Sequence, residues 1–361
     1  MTTIHTPGLE TNNTFTGTDI FGTVVAGNVN NHIYVDGVKY PITQAGIQSA
    51  FTDACAVSSG AGKGCHVWLP PCSVALTNGT GSTEQFLITA PIQVHGAGPN
   101  ATWFVVGSTS GIDSIPIFRI VPATSDEGYY LFEDFRICAG ATNGGDAFSL
   151  EATASTTIND FTLRRTKIVN LANGSWAVNM NTAGGTERFF HGRITDNNLA
   201  HGIKMNSTST IDSWLIDHNV FTSVSGVTTA AVDATTVNGA AHVTLFNNNG
   251  ALPGGFCISH GTTELQILFN QIEQAVTSVE ANSALIDLMG DTYTIDHAVI
   301  LGNNIGSNNN CNINIRLDHA SRTYIGGNVI GVNSSSGTGI VITSNATNTC
   351  IDVNNSNEFI L

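Results

Sequence analysis

Charge is what this chain has least of. Asp, Glu, Lys and Arg make up 11% of its 361 residues, where an average soluble domain carries about a quarter. Only 12 residues are Lys or Arg against 27 Asp and Glu, a net charge of −15. A nucleic-acid binder carries the opposite balance, which argues against that class of partner. No apolar run reaches the length of about 18 residues that a membrane-spanning helix needs, so no span is expected. No Cys-x-x-Cys occurs, so a zinc site is not expected. There is no Gly-x-Ser-x-Gly, and the seven cysteines are scattered, so no case arises for a Ser or Cys nucleophile. The first residues, MTTIHTPGLETNN, hold no basic segment followed by an apolar core. No secretion signal is visible, and an extracellular or virion-associated location by another route is expected.

What is present is uncharged polarity. With 41% hydrophobic residues the chain can bury a core, and its surface must be Asn, Thr, Ser and Gly, which suits stacked β structure. The 38 glycines follow no three-residue period, which excludes collagen. The stretch Gly192 to Phe221 repeats itself: Ile194-Thr195-Asp196-Asn197-Asn198-Leu199 is answered 21 residues later by Leu215-Ile216-Asp217-His218-Asn219-Val220. A period in the twenties with Asn at a fixed phase marks stacked coils. The register Φ-x-x-x-Asn places the coil asparagines at 170, 198, 219, 248, 270, 304 and 328, with gaps of 21 to 34 residues. The second position then reads Thr195, Ile216, Leu245, Ile267, Leu301 and Ile325, the expected core column. Asn side chains stacked at strand spacing can hydrogen-bond up and down the column.

Residues 1–40 form an irregular attachment segment, with short strands at Thr23-Val24-Val25 and 32–35. Asp36-Gly37 is predicted to turn a hairpin whose return strand is Val38-Lys39-Tyr40. The remainder, 41–361, is one domain. It opens with a helix over about 43–57, N-capped by Thr43, with Ile47, Ala50, Phe51 and Ala54 on one face and glycines 60, 62 and 64 ending it. Cys65 and Cys72 flank the strand HVWLPP and stand about 20 Å apart along it, too far to bridge; Cys55 is the better partner for either. The tail, with Phe359-Ile360-Leu361, leaves an open coil end that invites pairing with another subunit.

Residues 46–105 carry GIQSAFTDACA, then GKGCHVWLPPCSVALT, then FLITAPIQVHGAGPNATWFVV. This order resembles the N-terminal segment of the pectate-lyase-like superfamily of right-handed β-helices, in which an amphipathic helix caps the first coil and a V-x-L-P-x-G strand and a G-x-G-x-x-x-T turn follow. Cys72 stands where a Gly is usual. The resemblance implies an all-β fold: a single right-handed parallel β-helix with a short N-terminal capping helix. The group includes polygalacturonases, polysaccharide lyases and phage tailspikes, so it implies a polysaccharide partner and, as in tailspikes, a homo-oligomer, a trimer. Trp214-Leu215-Ile216-Asp217-His218-Asn219 is similar to the W-I-D-H strand of pectate lyases, whose Asp helps bind calcium. It carries one extra residue, and neither the R-x-P-x-x-R of those enzymes nor the polygalacturonase Asn-Thr-Asp, Asp-Asp and Arg-Ile-Lys set is present.

The chemistry therefore has to come from the residues themselves. If Asp196 and Asp217 occupy the same outward position of adjacent coils, stacking sets their carboxylates about 5 Å apart. Such a pair can bind Ca²⁺, share a proton, or act as the acid and nucleophile of a retaining glycosidase; the plain alternative is two solvated acids. Six of the 12 basic residues, Arg164, Arg165, Lys167, Arg188, Arg193 and Lys204, fall within 41 residues, where they either hold an acidic sugar or pair with Asp160, Glu187 and Asp212. Asp196, Asp217, Arg193 and Lys204 are the candidate catalytic residues, with Asp196 and Asp217 as Ca²⁺ ligands. Trp176, Trp214, Arg164, Arg165, Arg188, His201 and His218 are the candidate substrate-binding residues, the two indoles by stacking on sugar rings. Asp296-His297 and Asp318-His319 are expected at the surface and not as dyads, because neighbouring strand residues face opposite ways. Two functions follow: a tailspike-type depolymerase that binds and cleaves an extracellular or capsular polysaccharide, or a non-catalytic structural or receptor-binding β-helix of a virion or cell surface.

Overall fold

The computed structural model describes residues 31–352 apart from 62–63, 80, 108–113, 124–127, 140–143, 153–155, 183–187, 207–209, 223–228, 236–239, 275–283, 291–294, 308–312 and 333–337. The expected strand at Thr23-Val24-Val25, the acid Glu187 and the tail Phe359-Ile360-Leu361 lie outside the described residues. The chain is a parallel β-helix. Each coil lays one strand into each of three sheets, of fourteen, ten and ten strands, and the named strands pair in parallel throughout. Sheet I begins with His32–Tyr34 and Cys65–Trp68, sheet II with Cys72–Leu76, and sheet III with Phe86–Ile88.

Alternation along each short strand sends every second side chain inward. The inward column of sheet I runs Ile194, Ile216, Leu245, Ile267, Ile300 and Ile325, all fully buried. Each such side chain contributes about 1.5–3 kcal/mol relative to an exposed one. Toward the N-terminal end the core is aromatic, with Phe86 stacked on Phe118 at 5.3 Å and Phe118 on Phe148 at 5.0 Å. The capping helix α1 spans Gln44–Ala61, running through Gly60 beyond the expected end. The Thr43 hydroxyl accepts the Gly46 N–H as its N-cap, and Ile47, Ala50, Phe51 and Ala54 are buried, Phe51 edge-on to Phe86.

Three sequence expectations need correction. The hairpin after Asp36-Gly37 does not form: the Asp36 carboxylate accepts the Val38 and Lys39 N–H groups in a tight turn, and His32–Tyr34 pairs in parallel with Cys65–Trp68 as the first rung of sheet I. Cys65 and Cys72 remain thiols, Cys55 donates to the Ala90 carbonyl, and burial together with Cys55 pushes the Cys65 thiol up to about 11.

The third correction sets the geometry of the site. The buried asparagine column is Asn197, Asn219, Asn248, Asn270, Asn303 and Asn328, begun by Thr166. Asn170 is exposed and outside it. In the doublets Asn197-Asn198 and Asn303-Asn304 the first residue, not the second, turns inward, so Ile194 and Ile300 replace Thr195 and Leu301 in the core column. From Asn197 to Asn303 each column residue spends its whole amide. Asn219, for example, accepts from the backbone N–H and the Nδ2 of Asn197, and donates to Asn248 Oδ1 and to the Ile194 carbonyl.

Candidate functional site

Sheet I meets sheet II at a two-residue corner: one residue with left-handed backbone, then a buried one, which is Phe135, Thr166 and from Asn197 onward the column Asn. The left-handed positions are Asp134, Arg165, Asp196, His218, Asn247 and Phe269, with φ between 50° and 61°, and then Gly302 and Gly327. The last outward residue of sheet I, just before this corner, forms a second column: Tyr34, Trp68, His95, Glu133, Arg164, Thr195, Asp217 and Phe246. Corner and column together carry most of the polar chemistry on this face.

The one-residue shift separates the two expected carboxylates. Asp217 pairs with Thr195, whereas Asp196 stands at the corner, where its N–H donates to the Asp217 carbonyl and its side chain is exposed. The two carboxylates therefore do not occupy the same position of adjacent coils. Asp217 is covered, 3% exposed, and joined to Arg193: Nη2 lies 2.9 Å from Oδ2 and Nε 3.3 Å from Oδ1. His218 Nδ1 lies 3.0 Å from the same Oδ2. Burial pushes the Asp217 carboxyl up, but the bonds from Arg193 and His218 outweigh it and hold it below the usual carboxylate range. Asp217 is thus an ionised anchor that fixes Arg193 and His218.

Adjacent Asp and His do meet, against the strand-alternation argument. His218, His297 and His319 all adopt left-handed backbone, with φ of 55°, 57° and 50°. This swings each ring back over the preceding carboxylate, to 3.0, 3.4 and 3.2 Å.

The basic cluster is divided among faces. Arg164 Nε bonds Glu133 Oε2; Arg165 bonds Glu133 at 2.5 Å and clamps Asp134 with two bonds of 2.8 and 2.7 Å. Glu133 and Asp134, not Asp160 or Asp212, are the true partners; Asp160 lies near His191 and Asp212 near His242. Burial pushes the Glu133 carboxyl up, but the bonds from Arg164 and His95 and the charges of the two arginines hold it low. Lys167 and Arg188 make no ion pair among the described residues. Lys204 lies on sheet III, over the largely buried Trp176 ring at 5.6 Å and away from Arg193. Trp214, 1% exposed, is core and donates its indole N–H to the Phe189 carbonyl, so it offers no ring to a sugar.

His201 is likewise structural. It is fully buried; with Nδ1 protonated it donates to the Ser175 carbonyl, and Nε2 accepts the Leu171 N–H. Burial pushes its pKa down, only partly offset by the Ser175 bond. The unfolded chain takes up this proton below about pH 6.5 while the folded ring refuses it, so stability falls as pH drops through that value. Urea unfolding at pH 7 and pH 5 is expected to show a smaller loss in His201→Gln than in the parent.

A shallow depression of about 570 Å³ lies at the corner, lined by Pro99, Asn100, Asp134, Arg165, Lys167 and Asp196, with His218 and Val220 at its far end. Of the expected residues, Arg164, Arg165, Arg193, Asp196, Asp217 and His218 gather on this face; Arg188 is exposed on an adjoining strand of the same sheet. Lys204, Trp176, His201 and Trp214 do not join them. The expectation missed Glu133, Asp134, His95 and His66. A signal existed: His32-Ile33-Tyr34, His66-Val67-Trp68 and Gln93-Val94-His95 share one outward phase.

No protein-family model and no curated protein sequence matches the chain. Among solved structures it is similar to DFA-IIIase from Arthrobacter chlorophenolicus A6 at 12% identity and a TM-score of 0.48, covering 90% of this chain and 94% of that one. It is similar to PfbA, a surface adhesin of Streptococcus pneumoniae, at 14% identity and a TM-score of 0.45, covering 85% and 81%. It is also similar to the tailspike protein of E. coli bacteriophage HK620 in complex with pentasaccharide, at 13% identity and a TM-score of 0.42, covering 87% and 63%. At these scores the likeness carries no functional weight.

Proposed function

We propose that this protein is a carbohydrate-binding β-helix that takes a polysaccharide along the outer face of sheet I and cleaves it as a tailspike-type depolymerase outside the cell or on a virion. The observation that carries the reading is the corner depression. Its lining alternates donors (Arg165, Lys167, Asn100, Asn198) with acceptors (Asp134, Asp196) beside apolar Pro99 and Val220, the mixture that hydroxyl-rich rings with apolar C–H faces require. Because equivalent positions recur at strand spacing along the axis, a linear polymer can meet several coils at once. Arg164, Arg165 and Arg193 are matched by Glu133, Asp134 and Asp217, so the face offers hydrogen bonds more than uncompensated positive charge, and neutral and acidic polymers are both substrates to test.

The test is a panel of neutral and acidic polysaccharides, followed by affinity measurement, by reducing ends and by the ultraviolet absorbance of an unsaturated uronate. Reducing ends alone identify a hydrolase, and both signals together a lyase. Arg165→Ala is expected to weaken binding by about 10- to 100-fold, the loss of one charge-assisted hydrogen bond of about 1.5–3 kcal/mol. Absence of binding across the panel, or binding untouched by Arg165→Ala and Asp196→Asn together, overturns the site. Binding without cleavage favours the non-catalytic receptor-binding reading. That reading draws on one specific observation: the buried carboxylates Glu133 and Asp217 are both saturated by arginine.

A further inference from the structure

On the outer face of the first three coils, five rings, His32, Tyr34, His66, Trp68 and His95, lie nearly parallel, every contacting pair within 20°. They are tied together by nitrogen contacts. Trp68 Nε1 donates to His32 Nδ1 at 3.0 Å, His66 Nδ1 lies 2.9 Å from His95 Nε2, and His95 Nδ1 lies 2.6 Å from Glu133 Oε1. The His66 and His95 centroids are 5.1 Å apart with 10° between planes, an edge-to-edge arrangement that suits an in-plane N–H···N bond.

Donor arithmetic fixes the protons. Glu133 is ionised, since Arg164 and Arg165 both donate to it, so it only accepts. His95, 6% exposed, therefore donates from Nδ1 and, when neutral, accepts at Nε2. His66 must then carry its proton on Nδ1, which leaves Nε2 as a lone pair on a ring that is half-buried, not sealed in. Among the described residues nothing bonds that nitrogen.

We propose that Glu133, His95 and His66 form a proton relay and that His66 Nε2 is its working end, a general base for a hydroxyl-bearing carbohydrate or its attacking water on this face. The substrate class rests on the carbohydrate reading above. When Nε2 takes the proton, the O–H electron pair stays on the oxygen and an N–H bond forms on His66. The new positive charge is balanced through His95 by the Glu133 carboxylate, and nothing is oxidised or reduced. His95 and Glu133 are positioning residues, setting the tautomer and orientation of His66 as the orienting carboxylate does in a catalytic triad. The exposed edges of Tyr34 and Trp68, 44% and 38% exposed, give a sugar an apolar wall beside the base. Burial and the neighbouring His32 and His95 push the His66 pKa down, so the ring is neutral, as a base must be, at pH 7.

Two measurements need no substrate. Nitrogen-15 long-range spectra of the histidine rings are expected to show His66 protonated at Nδ1, the minor tautomer of a free imidazole; Nε2–H at His66 overturns the relay. Diethyl pyrocarbonate, read by peptide mass mapping, is expected to acylate His66 about tenfold faster than His191, whose side chain is 65% exposed, because an oriented imidazole is the better nucleophile. His95→Asn, and Glu133→Gln as a second break in the same chain, are expected to bring His66 down to the His191 rate. Equal rates in the parent, or a His66 rate unmoved by both variants, overturn the proposal. On a polysaccharide that the parent cleaves, His66→Asn is expected to lower turnover about 10²–10⁴-fold with binding unchanged, and cleavage at the parental rate overturns the assignment. A silent polysaccharide panel with the labelling result intact removes only the carbohydrate reading.

Discussion

Asn248→Ala is expected to destabilise the protein by about 4 kcal/mol, a large share of the 5–15 kcal/mol by which a folded domain exceeds its unfolded chain. The side chain is 1% exposed and serves four neighbours. Its oxygen accepts the Asn219 backbone N–H and Asn219 Nδ2, and its nitrogen donates to the Ile216 carbonyl and to Asn270 Oδ1. Alanine removes all four bonds at once. Asn219 is left with two buried donors lacking an acceptor, at about 1–3 kcal/mol for each orphaned group, and the Ile216 carbonyl loses one of its donors. Chemical denaturation at neutral pH measures the loss. The half-buried Asn198, one residue past the column member two coils away, is the control: Asn198→Ala should fall within about 0.5 kcal/mol of the parent. Equal losses at the two sites would mean that the column does not discriminate the members of the doublet.

Trp214→Ala is the second large effect, about 4 kcal/mol, in the range for deleting a buried aromatic side chain. The indole lies 6.1 Å from Phe161, nearly parallel to it, and fills the space above Gly192 so tightly that a Cβ there would sit 2.2 Å from the ring. Gly192→Ala should destabilise the same spot by the opposite route, overpacking. Trp214→Phe keeps most of the volume but leaves the Phe189 carbonyl without the indole donor, and a loss of about 1–2 kcal/mol is expected. This milder variant separates structure from recognition: it should unfold earlier yet bind polysaccharide as the parent does. A selective loss of sugar binding in Trp214→Phe would restore the indole as a contact residue.

These two positions also show where sequence reading succeeds and where it stops. The architecture was legible because Asn and an aliphatic residue recur at a constant phase through coils of unequal length, and the capping helix because its apolar spacing is helical. The register was legible only to within one residue. In Asn197-Asn198 either asparagine satisfies the pattern, and the choice is made by which amide finds Thr166 and Asn219 above and below it, a contact across 22 and 31 residues. That single step decides whether Asp196 and Asp217 share one register position, and it places Thr195 opposite Asp217 instead. The Asp–His contacts were hidden for a different reason, since a left-handed residue at each corner breaks strand alternation and nothing in a dipeptide announces it. Glu133 was invisible because its partners arrive from His95, Arg164 and Arg165, each on a neighbouring turn of the solenoid.

The asparagine column has one more property. From Asn197 to Asn303 one N–H of each Nδ2 donates to the next asparagine on the C-terminal side, and every Oδ1 as far as Asn328 accepts from the N-terminal side, without reversal. Six amide dipoles therefore point the same way along the solenoid axis, as peptide dipoles do in an α-helix, and bonds in such a row polarise one another in a low-dielectric interior. Thr166 closes the acceptor end with its hydroxyl and its backbone N–H. The solenoid thus has an electrical polarity as well as a chain direction, its positive pole toward the C-terminal coils. A charge placed beside Asn328 and the same charge beside Thr166 should therefore act on stability with opposite sign.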